Sequence, residues 1–291
     1  MFKRTFNNIS DYFSFVKFAH SIFSLPFALI GFFLPILREN AEFHLLRFIL
    51  VLLCVVFARN SAMGFNRYAD REIDKKNPRT LLREIPRGII RPRSALFFVI
   101  LNCILFIVAT FFINPLCFYL SPVALLVVLG YSFTKRITFL SHLFLGMGLA
   151  LAPIGAYLSV TGRFELVPVL FAVLVLFWVA GFDIIYSLQD ESFDKEQKLQ
   201  SIPAIFGTRR ALILSAFFHL VSVGMILAIG FIYPFGSIYW TGAVIFTLMI
   251  IYQHIIVKPK DLSRVNLAFF TLNGIASILF AIFVITDLSV K

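Results

Sequence analysis

The chain has 291 residues, 60% of them hydrophobic and 14% charged, with a mean hydropathy of +0.92; soluble domains carry about 25% charged residues. A body of 33.1 kDa cannot hide that much apolar surface from water, so lipid must solvate most of it. This excludes a soluble domain, a disordered chain and a nucleic-acid-binding module despite the net charge of +11.

From the N-terminus, MFKRTFNNISDYFSF has no short apolar core followed by a small-residue cleavage site, and it predicts no removed signal peptide. Nine stretches are then long and apolar enough for a membrane helix of about 20 residues. They cover roughly 19–37, 45–65, 95–113, 116–133, 139–159, 166–186, 211–233, 238–257 and 265–286. Strand alternation of the outer-membrane barrel kind is absent. The expected fold is therefore all-α, nine transmembrane helices in one bundle, with residues 1–291 forming a single domain. Polar segments at about 66–94 and 187–210 interrupt the pattern, and the other connections are short. Cys54, Cys103 and Cys117 lie inside apolar runs without a CxxC pair, which argues against a disulfide framework or a cysteine metal site.

Charge orients the bundle. Twenty-one of the 26 Lys and Arg residues fall on the N-terminal side of the predicted topology, nine of them between Arg67 and Arg93. Only Arg38, Arg163 and Lys291 fall on the other side, and Arg47 and Arg59 lie within the second helix. The positive-inside rule then places the N-terminus and both long loops in the cytoplasm.

Both polar loops open with an acidic motif. Asn66-x3-Asp70-x3-Asp74 ends the second helix, and Tyr186-x3-Asp190-x3-Asp194 ends the sixth. Residues four apart share a helix face, so each motif stacks its oxygen ligands in a column. Carboxylate and amide oxygens suit Mg²⁺, which is commonly shared with substrate phosphates. One such motif is weak evidence, since solvated helix ends carry it by chance; two at matching helix ends among basic residues are not. Lys75, Lys76, Arg79, Arg83, Lys135 and Arg136 surround them, and arginine forks match phosphate oxygens. Arg91, Arg93, Lys258 and Lys260 read more simply as topology anchors. Deeper, Arg59 and Asp183 return to the faces of Asp70 and Asp190, about 16 and 10 Å below them. They either pair with each other or line a substrate pocket. His20 and His142 are pocket candidates only, and the 37 Phe residues are chiefly lipid and packing surface.

GFNRYADREIDKKNPRT (64–80) and DIIYSLQDESFDKEQKLQSIPAIFG (183–207) resemble the paired aspartate-rich motifs of the UbiA superfamily of intramembrane prenyltransferases. YSFTKRITFLSHLFLGMGLALAPIGA (131–156) is similar to helices of its 4-hydroxybenzoate polyprenyltransferase branch. The resemblance implies nine helices around a central cavity. It implies Mg²⁺ on Asp70, Asp74, Asp190 and Asp194 with Asn66 assisting, and a polyprenyl diphosphate gripped by Arg79, Lys135 and Arg136. The expected reaction transfers the prenyl group to an aromatic hydroxy acid in ubiquinone or menaquinone biosynthesis, in a bacterial cytoplasmic membrane. No nucleic acid or obligate protein partner is expected. Asp183 or Asp190 would remove the ring proton, and Arg59 would bind the acceptor carboxylate. Asn66-Arg67, Asn77-Pro78-Arg79-Thr80, His142 in place of the usual Gln, and KFAHSIFSLPFAL (17–29) look more like the subgroup associated with futalosine-derived menaquinone. The competing classes are an ion-coupled transporter, whose acids would sit near the bilayer midplane, and a haem or chlorophyll prenyltransferase of the same superfamily.

Overall fold

The computed structural model describes residues 11–12, 14–17 and 22–290. These are almost wholly helical: α1 Leu25–Arg38, α2 Leu45–Ala69, α3 Arg71–Asp74, α4 Pro92–Ile113, α5 Pro115–Thr134 and α6 Ser141–Thr161. After them come α7 Leu166–Ser187, α8 Glu191–Glu196, α9 Ile202–Ile232, α10 Ser237–Ile256 and α11 Asn273–Val290. Among the described residues eight helical segments are long and apolar enough to cross a bilayer. The ninth expected span is represented by α1, whose 14 residues are too few alone. Part of that predicted span, His20 included, lies outside the described residues.

The outward faces of α4 and α5 carry Phe97, Ile104, Phe111, Phe112, Tyr119 and Leu126 exposed. Only a lipid environment accepts such a surface, and the chain is an integral membrane protein. Helix α7 is the buried hub of the other half, where Trp178 packs against Phe23, Phe27, Phe182 and Phe246.

Two features differ from the sequence expectation. The 187–210 segment is largely helical, because α9 begins at Ile202 behind the N-cap Ser201, whose side chain accepts from the Ala204 amide. The helix then bends at Gly207, whose φ of 76° lies in the left-handed region that favours glycine. The last span opens with a π-helical stretch, Leu267–Leu272. Asn273 stabilises it by donating to the carbonyls of Ala268 and Phe269 while accepting from Trp178 and Gln253.

On the extracytoplasmic side predicted from charge, the buried carboxylate of Asp287 accepts from the amides of Gly236 and Tyr239, capping α10. Its removal leaves those donors without their acceptor. Asp287→Ala is therefore expected to lower stability by about 1–3 kcal/mol, read as a fall in melting temperature in detergent.

Candidate active site

Helix α2 stops at Asp70, whose φ/ψ of −91°/5° departs from the helix, and α3 restarts at once and carries Asp74. Helix α7 tightens into a 3-10 turn at Leu188–Asp190, and Asp190 takes −103°/3° before α8 carries Asp194. The repeated spacing thus becomes a repeated backbone break. Each motif turns its first aspartate out of one helix and its second into a short new one.

Each of three aspartates holds a cation. Asp70, almost fully buried, accepts from Lys135 at 2.6 Å, Arg136 at 2.9 Å and Asn66 at 3.3 Å. Both Asp74 oxygens accept from Arg83 Nη1 at 2.9 Å. Asp190 accepts from Arg79 Nε at 2.8 Å, from its Nη2, and from Asn77 at 2.9 Å. Arg79 also donates to the Tyr186 hydroxyl at 2.7 Å and lies over that ring. Burial disfavours the charged guanidinium, but its hydrogen bonds to Asp190 and Tyr186 outweigh this and hold Arg79 above its ordinary pKa. The 75–91 loop consequently bridges the motifs: Arg83 is tied to the first and Arg79 to the second. Its base is fixed by a buried Arg67–Glu84 ion pair, on which Ser14 also donates to Glu84 at 2.6 Å.

The three basic residues expected at a diphosphate, Arg79, Lys135 and Arg136, therefore all reach the acids. The five expected metal ligands do not form one cluster. Among the described residues no three His, Cys, Asp or Glu side chains converge closely enough to hold a metal. The reason is electrostatic: carboxylates repel one another, and three of these four have a cation within reach. Asp194 differs, being buried with no basic side chain at ion-pair distance among the described residues. A buried carboxylate without a cation is costly, and the donor set is hard oxygen throughout. The residues present therefore fit a hard divalent cation.

Below the acids an elongated cavity of about 330 Å³ runs between α2, α4, α5 and α6. From Met63 to Val51 it follows α2 for about 18 Å. Its walls are apolar, and Arg59 supplies their one charged group among the described residues, with Tyr131 also on the lining. Tyr131 lies one helical turn before Lys135, and Met63 lies seven residues, about 10 Å, before Asp70, so the walls of the cavity run toward the acidic site, although no motif aspartate lines it.

Of the two alternatives for Arg59 and Asp183, the mutual pair is not formed. Asp183 is bound instead to His142, Nδ1 to Oδ2, at 2.7 Å. No acid lies at ion-pair distance from Arg59 among the described residues, and its Nε has no hydrogen-bond partner. Sequence reasoning missed three contributors: Asn77 and the site role of Arg83, which act from a non-periodic loop, and the His142–Asp183 contact, which joins separate helices. The cysteines are free, and Cys54 and Cys117 both line the cavity.

An apolar cavity inside a membrane bundle, with paired acids interleaved with cations at the helix ends beyond it, defines the class: an intramembrane enzyme acting on an anionic lipid. The family model for "UbiA prenyltransferase family" matches residues 24–275, and the chain belongs to that family. It superposes on the apo structure of a UbiA homologue from Aeropyrum pernix with a TM-score of 0.82 and 33% identity, over 92% of this chain and 98% of that one. A 4-hydroxybenzoate octaprenyltransferase of Saccharophagus degradans is 33% identical over 182 residues, which span 62% of this chain but only 60% of that protein. A homologue from Archaeoglobus fulgidus, solved with DMAPP and Mg²⁺, shares the fold at a TM-score of 0.76 and 20% identity.

Proposed function

We propose that the chain, acting as one domain, transfers a polyprenyl group from its diphosphate to a ring carbon of an aromatic hydroxy acid for respiratory quinone synthesis. One observation carries this reading: four aspartates interleaved with Arg79, Arg83, Lys135 and Arg136 stand at helix ends beyond an apolar cavity lined by a single deep cation, Arg59.

Asp70, Asp74 and Asn66 on one side, and Asp190 and Asp194 on the other, would hold Mg²⁺. The bound ion supplies charge neutralisation for the departing diphosphate. The chain's own cations then exchange partners: Arg79, Lys135 and Arg136 release their carboxylates and take diphosphate oxygens. The prenyl tail lies along the apolar cavity, whose walls keep water from the allylic cation formed as C1–O breaks with its electron pair leaving on oxygen. The ring carbon attacks C1, and Arg59 holds the acceptor carboxylate. Asp183 and Asp190 are the two candidates for taking the ring proton. Asp183 is favoured, because Asp190 is already assigned to Mg²⁺, whereas Asp183 has only Oδ2 held, by His142.

The relatives' names support 4-hydroxybenzoate as acceptor, and the 17–29 and 77–80 segments support a dihydroxynaphthoate of the futalosine type. Purified protein offered both acids with one long-chain diphosphate and Mg²⁺ is expected to prenylate one at least tenfold faster. Product from neither acid would overturn the reading.

The 21 basic residues that share the reaction side support a cytoplasmic position for it. Cysteines introduced at Lys76 and Lys198 are expected to react with reagents confined to the cytoplasm, and one at Arg163 with reagents confined outside. The opposite labelling would reverse the orientation.

A further inference from the structure

The His142–Asp183 contact has no place in the acid-and-cation scheme above. His142 is the second residue of α6 and is almost fully buried. Its position follows from a close approach of helices: a Cβ at Gly146, one turn further along α6, would lie 2.3 Å from the Leu176 carbonyl oxygen of α7. Only glycine lets these backbones meet so tightly, and the approach brings His142 against Asp183.

The chemistry of the pair is one-sided. A carboxylate accepts, so the 2.7 Å contact has Nδ1–H donating to Asp183 Oδ2. The buried Nε2 of His142 has no hydrogen-bond partner, so this imidazole's one hydrogen bond among the described residues is to Asp183. The Asp183 side chain, by contrast, stays 21% exposed, and its Oδ1 accepts from no described residue. One oxygen is pinned and the other has no hydrogen-bond partner among the described residues.

Resting on the reading of Asp183 as the base, we propose that His142 is a positioning residue for prenyl transfer. It fixes the Asp183 carboxylate through Oδ2 so that Oδ1 faces the acceptor ring. As the C1–carbon bond forms, the ring carbon's proton passes to Asp183 Oδ1 and the C–H electron pair restores aromaticity. The imidazole keeps its own proton throughout.

The test compares His142→Leu, His142→Asn and Asp183→Asn in purified protein with Mg²⁺, a long-chain polyprenyl diphosphate and the preferred aromatic acid. A positioned general base contributes about a hundredfold or more to rate, and part of that depends on its orientation. His142→Leu is expected to lower kcat about tenfold or more, with the KM for prenyl diphosphate within twofold of wild type. The Asn amide nitrogen falls close to the position of Nδ1, so His142→Asn is expected to recover at least a third of wild-type kcat. A wild-type kcat in His142→Leu overturns the proposal. So does equal slowing by Leu and Asn, which would mark a packing role, or a matching rise in prenyl diphosphate KM, which would mark an effect on the acidic site. Melting temperature separates a folding defect from these outcomes, because His142→Asn is also compared with wild type at matched stability. Full activity in Asp183→Asn would instead defeat the base assignment on which the proposal rests.

Discussion

Asp70→Asn and Asp190→Asn are each expected to lower prenyl transfer about a thousandfold or more at saturating Mg²⁺. The magnitude follows from the several kcal/mol by which a metal stabilises a departing phosphate oxygen. Either change removes one carboxylate from the set that would hold the ion. The amide keeps the volume of the side chain, which matters because Asp70 is almost fully buried. It also bears two cations, Lys135 and Arg136, so alanine would remove both their charge partner and its volume. These cations are about one-third exposed, and solvent screens part of the loss. A modest fall in melting temperature is therefore expected beside a near-complete loss of turnover. Either variant turning over near the wild-type rate, at the same Mg²⁺ and intact by melting, would defeat the assignment of the aspartates as metal-binding groups.

The second large effect is expected at Arg59. Its guanidinium lines an apolar cavity, Nε has no partner, and the acid that might have neutralised it is occupied by His142. A cation left in that state is poised for an anionic ligand. At about 16 Å along α2 from Asp70 it lies too deep for the diphosphate held there. Arg59→Lys keeps the charge but loses the two-point fork that matches a carboxylate. A charge-assisted hydrogen bond is worth about 1.5–3 kcal/mol, so the acceptor KM should rise about 10–100-fold while the KM for prenyl diphosphate stays nearly fixed. Arg59→Leu should raise it at least as far without lowering the melting temperature, since no buried acid loses its partner. An unchanged acceptor KM in both variants would retire the carboxylate-binding role.

Much of the site was readable in the sequence because the relevant information is local. The apolar runs located most span ends to within a few residues, the start of α9 at Ile202 being nine residues earlier than its apolar run, and the four-residue spacing put each pair of aspartates at a helix end. The basic residues near them were also visible. The structure adds what spacing cannot encode. Asp70 and Asp190 interrupt their helices, and it is that break which swings Asp74 and Asp194 onto new short helices. The 75–91 loop has no periodicity, so the reach of Asn77 and Arg79 to Asp190, more than a hundred residues away, had no signal. Helical periodicity placed Arg59 and Asp183 at pocket depth, but their partners depend on how α2, α6 and α7 pack. The close approach at Gly146 gives Asp183 to His142 and leaves Arg59 to the cavity.

The pairing of these four cations with acids also bears on how the site responds to substrate. With Arg79, Arg83, Lys135 and Arg136 matched to three aspartates, diphosphate binding would exchange existing ion pairs for new ones. The loop that carries Arg79 and Arg83 is tied to both motifs, so exchange at one motif is felt at the other.

The central claim is that this chain couples loss of diphosphate to bond formation on an aromatic ring. It is tested most directly by measuring diphosphate released and prenylated acid formed by the purified protein, with and without the acid and with and without Mg²⁺. The account predicts the two products in a one-to-one ratio, with both falling to background when either the acid or Mg²⁺ is withheld. Prenylated acid formed at full rate in the presence of excess chelator, or diphosphate released without any prenylated acid, would contradict it.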